Sequence, residues 1–476
     1  MRRRKGRRTK MELWTLSAGE LAQGIARRDF SSVEVVEAHL RRIEAVNSRV
    51  NAIVKVLAEE ARAAAADADR KVATGEKLGP LHGVPFTIKE NIDVAGLPTT
   101  WGVPALANAI PPMDAPAVER MRRAGAIAIG RTNVPDMALR MHTESTLYGL
   151  TRNPWNPART AAGSSGGEAA ALATGMSPLG LGNDIGGSLR NPANACGIAS
   201  IRPTQGRVPH AGFIPAEESL LSVQLMHTNG PMARRVGDVR LALSVLSGAH
   251  PRDPWSLDSP PDAPRAAPVR VAMVAEPPGG RTDPVVAKGV RDAGAALKDA
   301  GYEIVEAAPP RFEEVGAVWA RFLIGDFVSV RDLVEPLMGK DAAFIFRTAA
   351  ASTPALDAAG VFRLFVERDA LARAWSQFMA EHPLLLTPVW TQLPFEVGFD
   401  VASAENVGAM LEMSRPIMAA NLFGLPSACV PAVRDAVTGL PVGVLLTGRR
   451  MRDAECLDAA EAIEQRLPSK TPIDPV

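Results

Sequence analysis

Two glycine-rich loops, each built around a serine, constrain this chain more than any other feature. The first, GSSGG at 163–167, leads straight into a run of small residues, EAAALATGM; the second, GLGNDIGGSLRNPANACG at 180–197, follows closely. Glycine clusters often cradle phosphates at helix N-termini, but neither loop fits the GxxxxGK[ST] or GxGxxG frame of such sites. Each holds a serine where those frames have none. The glycines would instead let successive backbone amides, those of Ile185, Gly186, Gly187 and Ser188, converge on one reacting oxygen as an oxyanion hole. Ser188 is then the candidate nucleophile, and a serine hydroxyl needs a base within hydrogen-bond reach. Lys89 is the candidate base. It stands near the end of VPFTIKENI at 84–92, a β-branched and aromatic run that reads as a buried strand, and burial lowers a lysine's pKa. Without the serine loops it would read as a strand-end lysine in solvent.

The flanking sequence alternates helix and strand. Capping boxes at Ser17 with Glu20 and at Ser31 with Glu34 announce two helices, with Leu40, Ile43 and Val46 at helical spacing. Residues 56–75 continue as an amphipathic helix stopped at Gly75, and 116–124 form a helix opened by proline before the short strand AIAIGRTNV. An α/β architecture with a mixed sheet follows. Residues 251–268, rich in Pro and Asp, read as a surface connection, and 283–300 and 315–380 as mostly helical. Trp319, Phe322, Phe327, Phe344 and Phe346 in the second block read either as a pocket cover or as ordinary core. LLLTPVW, SACVPAV and GLPVGVLLTG are strand-like, and 453–466 close as a helix.

At 476 residues the chain can bury an active site completely, in one large domain or two joined ones. The reading adopted is one domain over 11–476, with residues 80–250 carrying the chemistry, 251–268 connecting and 310–380 covering the pocket. Seven of the first ten residues are Lys or Arg and none is acidic, which reads as a disordered basic tail, with Met11 a candidate natural start. No apolar stretch follows those charges and no run of 18 apolar residues occurs, so neither a signal peptide nor a membrane span is expected, and the location expected is cytoplasmic. Cys196, Cys429 and Cys456 lack CxxC spacing, and the seven histidines form no HxxxH or HExxH cluster, so no metal is expected.

GSSGGEAA at 163–170, GLGNDIGGSLRNPANACG at 180–197 and PFTIKENIDVAG at 85–96 together resemble the amidase signature family. The likeness extends through LHGVPFTIKE, GRTNVPD, LYGLTRNPWNP, RPTQGRVP, LLLTP and GLPVGVLLTGRRMRDAE, and covers roughly residues 15 to 465. It implies a large twisted mixed sheet covered by helices on both faces. It also implies roles: Lys89 as base, Ser164 as relay on a cis Gly163–Ser164 peptide, Ser188 as nucleophile. Asp184 and Arg190 match a pair that braces the oxyanion loop, and Ser165 a residue that orients Lys89 and Ser164. One departure is Asn183, where many relatives carry a hydroxyl residue. Within the family, Ile185 and Glu168 favour a stand-alone amidase over the glutaminase subunit of a tRNA-dependent amidotransferase. GSSGG also satisfies GxSxG around Ser165, but the buried strand that an α/β-hydrolase elbow requires does not precede it.

In relatives the acyl pocket is lined partly by the segment matching 136–144. The alternation of Met137, Leu139 and Met141 reads as an apolar wall for an aryl or alkyl acyl group, or as a core strand face. Arg140 reads as a substrate-carboxylate reader or an ion pair, and His142 and His210 as weaker pocket candidates. The expected protein is a cofactor-free hydrolase of small amides, binding neither nucleic acid nor membrane, and a homodimer as many relatives are.

Overall fold

The structure, a computed structural model, describes residues 12–216, 218–258, 268–353 and 356–476. The basic head and Met11 lie outside the described residues, as do residues 259–267 of the Pro-rich connection. Among the described residues thirteen strands occur in chain order: β1 (Ile53–Val56), β2 (Pro85–Lys89), β3 (Ile127–Thr132), β4 (Glu144–Ser145), β5 (Gly149–Leu150), β6 (Leu179–Asp184), β7 (Ala199–Arg202), β8 (Thr228–Ala233), β9 (Arg270–Met273), β10 (Glu303–Glu306), β11 (Leu384–Pro388), β12 (Ser427–Arg434) and β13 (Pro441–Gly448). Eleven form one sheet in the order β1-β3-β2-β6-β8-β7-β12-β13-β11-β9-β10, and β4 pairs with β5 apart from it. The sheet is mixed: β3-β2-β6 and β11-β9-β10 run parallel, while β6-β8-β7-β12-β13-β11 is antiparallel throughout.

Side chains alternate across a strand, and here the alternation sorts them into two apolar layers. Leu385, Cys429 and Leu445 face one layer, with the helices Ser32–Val50, Gly166–Ala173, Phe312–Ser329 and Ala358–Glu381. Their neighbours Leu384, Leu386, Ala428, Val430, Val444 and Leu446 face the other, with Ala18–Ala26, Val236–Leu246, Pro284–Asp299 and Asp453–Arg466. Helices therefore cover both faces. Both N-terminal helices open with reciprocal capping boxes, at Ser17/Glu20 and Ser31/Glu34.

Two expectations shift. The helix read over 56–75 runs from Ala58 to Thr74, and the strand β1 before it, Ile53–Val56, was not expected. Residues 136–141 form no strand. Asp136–Ala138 is a single 3₁₀ turn with Met137 and Ala138 at φ of 52° and 58°. The cause is Asp136, whose carboxylate accepts from Thr146 N, Thr146 Oγ1 and Gly339 N at 2.6–2.7 Å and folds the segment back on itself.

Candidate active site

Phe86 and Ile88 of β2 belong to the second apolar layer, so period two sends Thr87 and Lys89 to the opposite face, where the helix Gly166–Ala173 lies. The neighbouring strand β6 does the same with Leu179 and Leu181, leaving Gly180 and Gly182 beneath that helix. Those glycines are the reason the helix can lie so close. A Cβ on Gly180 would stand 2.2 Å from Glu168 Oε1, and one on Gly182 3.0 Å from Ser165 Oγ. Gly163 has no more room, since a Cβ there would sit 2.5 Å from Arg140 O. The Gly163–Ser164 peptide is cis.

Lys89 is fully buried, and its Nζ is hydrogen-bonded to Ser164 Oγ and to Asn183 Oδ1, both at 2.7 Å. Burial lowers its pKa to about 7, against the opposing pull of Asp184 and Glu168. Asn183 thus presents an amide oxygen to Lys89, and its Nδ2 donates to Asn91 Oδ1 at 2.9 Å. Glu168, also fully buried, accepts from the Thr87 hydroxyl and from Thr132 Oγ1 at 2.8 Å. Burial raises its pKa to about 8, with Thr87, Thr132 and Lys89 pulling the other way. Ser165 Oγ reaches the backbone oxygen of Asn183 at 3.5 Å and bonds neither Lys89 nor Ser164, unlike the orienting role that the resemblance implied.

The second serine loop connects β6 to the helix Arg190–Cys196. Asp184, fully buried at the end of β6, accepts from Gly187 N, Leu189 N, Arg190 Nε and Nη2, and Asn421 Nδ2 at 2.8–3.1 Å. Burial alone would raise its carboxyl, but Arg190, with Arg202 and Asn421, outweighs that and holds it well below the usual carboxylate range. Gly187 has a φ of 91°, open to glycine and strained for other residues. Its amide is committed to Asp184, so the four-amide set expected from sequence loses one member and keeps Ile185, Gly186 and Ser188. Ser188 is 8% exposed and Ser164 1%, and no hydrogen bond joins the two among the described residues. Ile185 and Gly186 of the same loop are partly exposed.

The expected substrate wall is dispersed. Met137 is buried in a small cluster with Val103, Met338 and Phe346, and Leu139 packs against it, whereas Met141 packs against the layer that holds the serine helix. Arg140 is an ion-pair residue, bound to Asp400 through Nε at 2.6 Å and Nη2 at 3.1 Å. His142 is buried, bonded to Thr160 Oγ1 at 2.7 Å, and desolvation lowers its pKa to about 4. His210 lies against His227, ring centroids 4.2 Å apart. The three cysteines are buried and free, and burial raises each thiol. Among the described residues, no three His, Cys, Asp or Glu side chains could together hold a metal ion.

Sequence reading missed Asn91, Asn191, Asn421 and Trp390. Asn91 had a signal, two residues after Lys89, and Asn191 follows the second serine loop, whereas Asn421 and Trp390 act across more than 190 residues of chain and left none.

With this geometry in hand, the comparisons with known proteins are decisive, since the model of the Amidase family matches residues 34–457. The chain belongs to the amidase family. An indoleacetamide hydrolase of Bradyrhizobium diazoefficiens is 41% identical over 95% of this chain and 87% of its own length. One of the subunits of the glutamyl-tRNA(Gln) amidotransferase of Moorella thermoacetica is 34% identical over 96% and 97%. Among solved structures, 6-aminohexanoate cyclic dimer hydrolase complexed with substrate superposes with a TM-score of 0.84 at 26% identity, over 96% of this chain and 98% of that one. The protein is an amidase, an enzyme that hydrolyses amides, and the stand-alone form is favoured over the amidotransferase component.

Proposed function

We propose that this amidase works through a Ser188 acyl-enzyme, with Ser164 relaying protons to Lys89, and that it takes primary amides whose acyl group carries an aromatic ring. The observation that carries the mechanism is the 2.7 Å bond between Lys89 Nζ and Ser164 Oγ, made by a lysine that burial brings to a pKa of about 7. A lysine half neutral at pH 7 can accept a proton, which an exposed one cannot.

In this scheme Ser188 Oγ attacks the carbonyl carbon while its proton passes to Ser164 and that of Ser164 to Lys89. The carbonyl oxygen becomes an oxyanion held by backbone amides of the loop. Collapse breaks the C–N bond, and the departing nitrogen takes back the proton through the same path. Water then attacks the ester, its proton passing through Ser164 to Lys89, and collapse breaks the bond to Ser188 Oγ, which takes that proton back through Ser164 as the carboxylate leaves. The aromatic acyl preference is supported by the relative named indoleacetamide hydrolase. Cytoplasmic location, a homodimeric state and independence from nucleic acid belong to the same proposal and rest on the sequence alone; sedimentation measures the second directly.

The test is a hydrolysis panel of indole-3-acetamide, aliphatic amides, anilides and glutamine, run on wild type and Ser188→Ala with mass spectrometry of the protein. Turnover of aryl amides with an acyl adduct on Ser188, absent in Ser188→Ala, is expected. Glutamine turnover alone would move the protein to the amidotransferase reading, and full activity in Ser188→Ala would sink the mechanism.

A further inference from the structure

The three amides left free in the second serine loop do not orient themselves. In a trans peptide the C=O and the following N–H point in opposite directions, so whatever grips one carbonyl aims the next amide the other way. Three carbonyls of this loop are gripped. Trp319 Nε1 donates to Ile185 O at 3.1 Å, Asn191 Nδ2 to Gly186 O at 3.2 Å, and Asn191 N to Gly187 O at 2.7 Å. The peptides fixed by those bonds carry the Gly186, Gly187 and Ser188 amides, and of these Gly187 N is taken by Asp184 at 2.8 Å.

The two grips from Asn191 are local, since it belongs to the helix that continues the loop, where Trp390 Nε1 donates to its Oδ1 at 3.0 Å. The first comes from far away. Trp319 lies on the helix Phe312–Ser329, outside both serine motifs, and is 3% exposed. Its ring also lies flush on the loop: a Cβ added to Gly186 would stand 2.7 Å from Cζ2. One face of the loop is thereby sealed from water by an indole whose single donor is used on the loop's own backbone.

We infer that Trp319 is a positioning residue for the reaction, aiming the Gly186 amide at the developing oxyanion through its bond to the Ile185 carbonyl. This rests on the reading of Ser188 as the nucleophile. Its contribution belongs to the transition state, because a ground-state carbonyl gains less from that amide than an oxyanion does.

The experiment compares wild type with Trp319→Phe, which keeps an aromatic ring and removes the N–H. Carrying benzothienylalanine at position 319 keeps the bicyclic shape as well, and serves where Phe does not yield folded protein. The expected result is a fall in kcat of about tenfold or more with KM within about twofold, the order of a weakened oxyanion donor. Affinity for a trifluoromethyl ketone, whose adduct carries an oxyanion, should fall in parallel, while affinity for the unreactive carboxylate product should not. Phe322→Leu on the same helix loosens packing without touching the loop and should leave that ratio unchanged. Equal loss of both affinities, or no loss, would overturn the inference. Activity retained in Ser188→Ala would instead overturn the reading beneath it.

Discussion

At the scale of single residues the chemistry turns on where one proton sits. Lys89 can act as a base only when neutral, so kcat/KM should fall about tenfold per pH unit below its pKa of about 7 and level off above it. A limb near pH 4 or 5 would rule the lysine out as the titrating base. The same shift predicts stability. Between pH 7 and about 10.4 the unfolded chain holds a proton on Lys89 that the folded chain has lost, so stability rises with pH across that window. Glu168 has the opposite sign: folded near 8 and unfolded near about 4.3, it holds a proton that the unfolded chain lacks, and stability falls between those values. Melting temperatures against pH should therefore lose the upper rise in Lys89→Met and the lower fall in Glu168→Gln. Curves of unchanged shape would mean that neither group is perturbed as described.

At the scale of elements the site depends on how near a helix can come to a sheet. Gly166–Ala173 is buried all round, and the residue beneath it on β6 is glycine because Glu168 fills the volume where a side chain would stand. Gly180→Ala should cost about 1–3 kcal/mol in urea unfolding, as overpacking does, and Glu168→Ala in the same chain should recover part of it. Strictly additive losses would show that the two do not compete for space. Legibility follows the same line. VPFTIKENI could be read because its alternation has a single explanation once Phe86 and Ile88 are placed in the core, and the serine loops because their glycines admit few chemistries. The stretch from Met137 to Met141 misled, since its alternation is equally that of a strand, and the bond partners of Asp136 that fold it lie up to 203 residues away. Asn421 was illegible for a similar reason, because an asparagine gives no sign that it will meet Asp184, 237 residues away.

At the scale of the whole molecule, the chain's last described residues hold the far end of that helix in place. Arg42, on Ser32–Val50, donates to Thr174 O at 2.7 Å, to Asp474 Oδ1 at 2.7 Å and to Ile473 O at 2.9 Å, with its guanidinium 4.0 Å over the Trp14 ring. Ile473 N in turn donates to Ala173 O at 2.9 Å, so N-terminal helix, serine helix and C-terminal segment meet at one buried cation. Hydrogen bonds to charged groups contribute about 1.5–3 kcal/mol, and Arg42→Ala should cost that order. Removing residues 471–476 should cost a similar amount, since it takes two of the same three acceptors. The combination should fall short of the sum by about 1 kcal/mol or more, the coupling expected of groups that share partners. Activity provides the contrast. Eight helical residues span about 12 Å, so a loosened C-terminal end leaves Ser164 bonded to Lys89 at the other, and kcat of the folded fraction should hold while the melting temperature drops. If kcat fell in step with stability, the helix would be transmitting the loss along its length, and the bonds of Arg42 to Ile473 and Asp474 would be part of the active site's rigidity instead of a clamp on the fold.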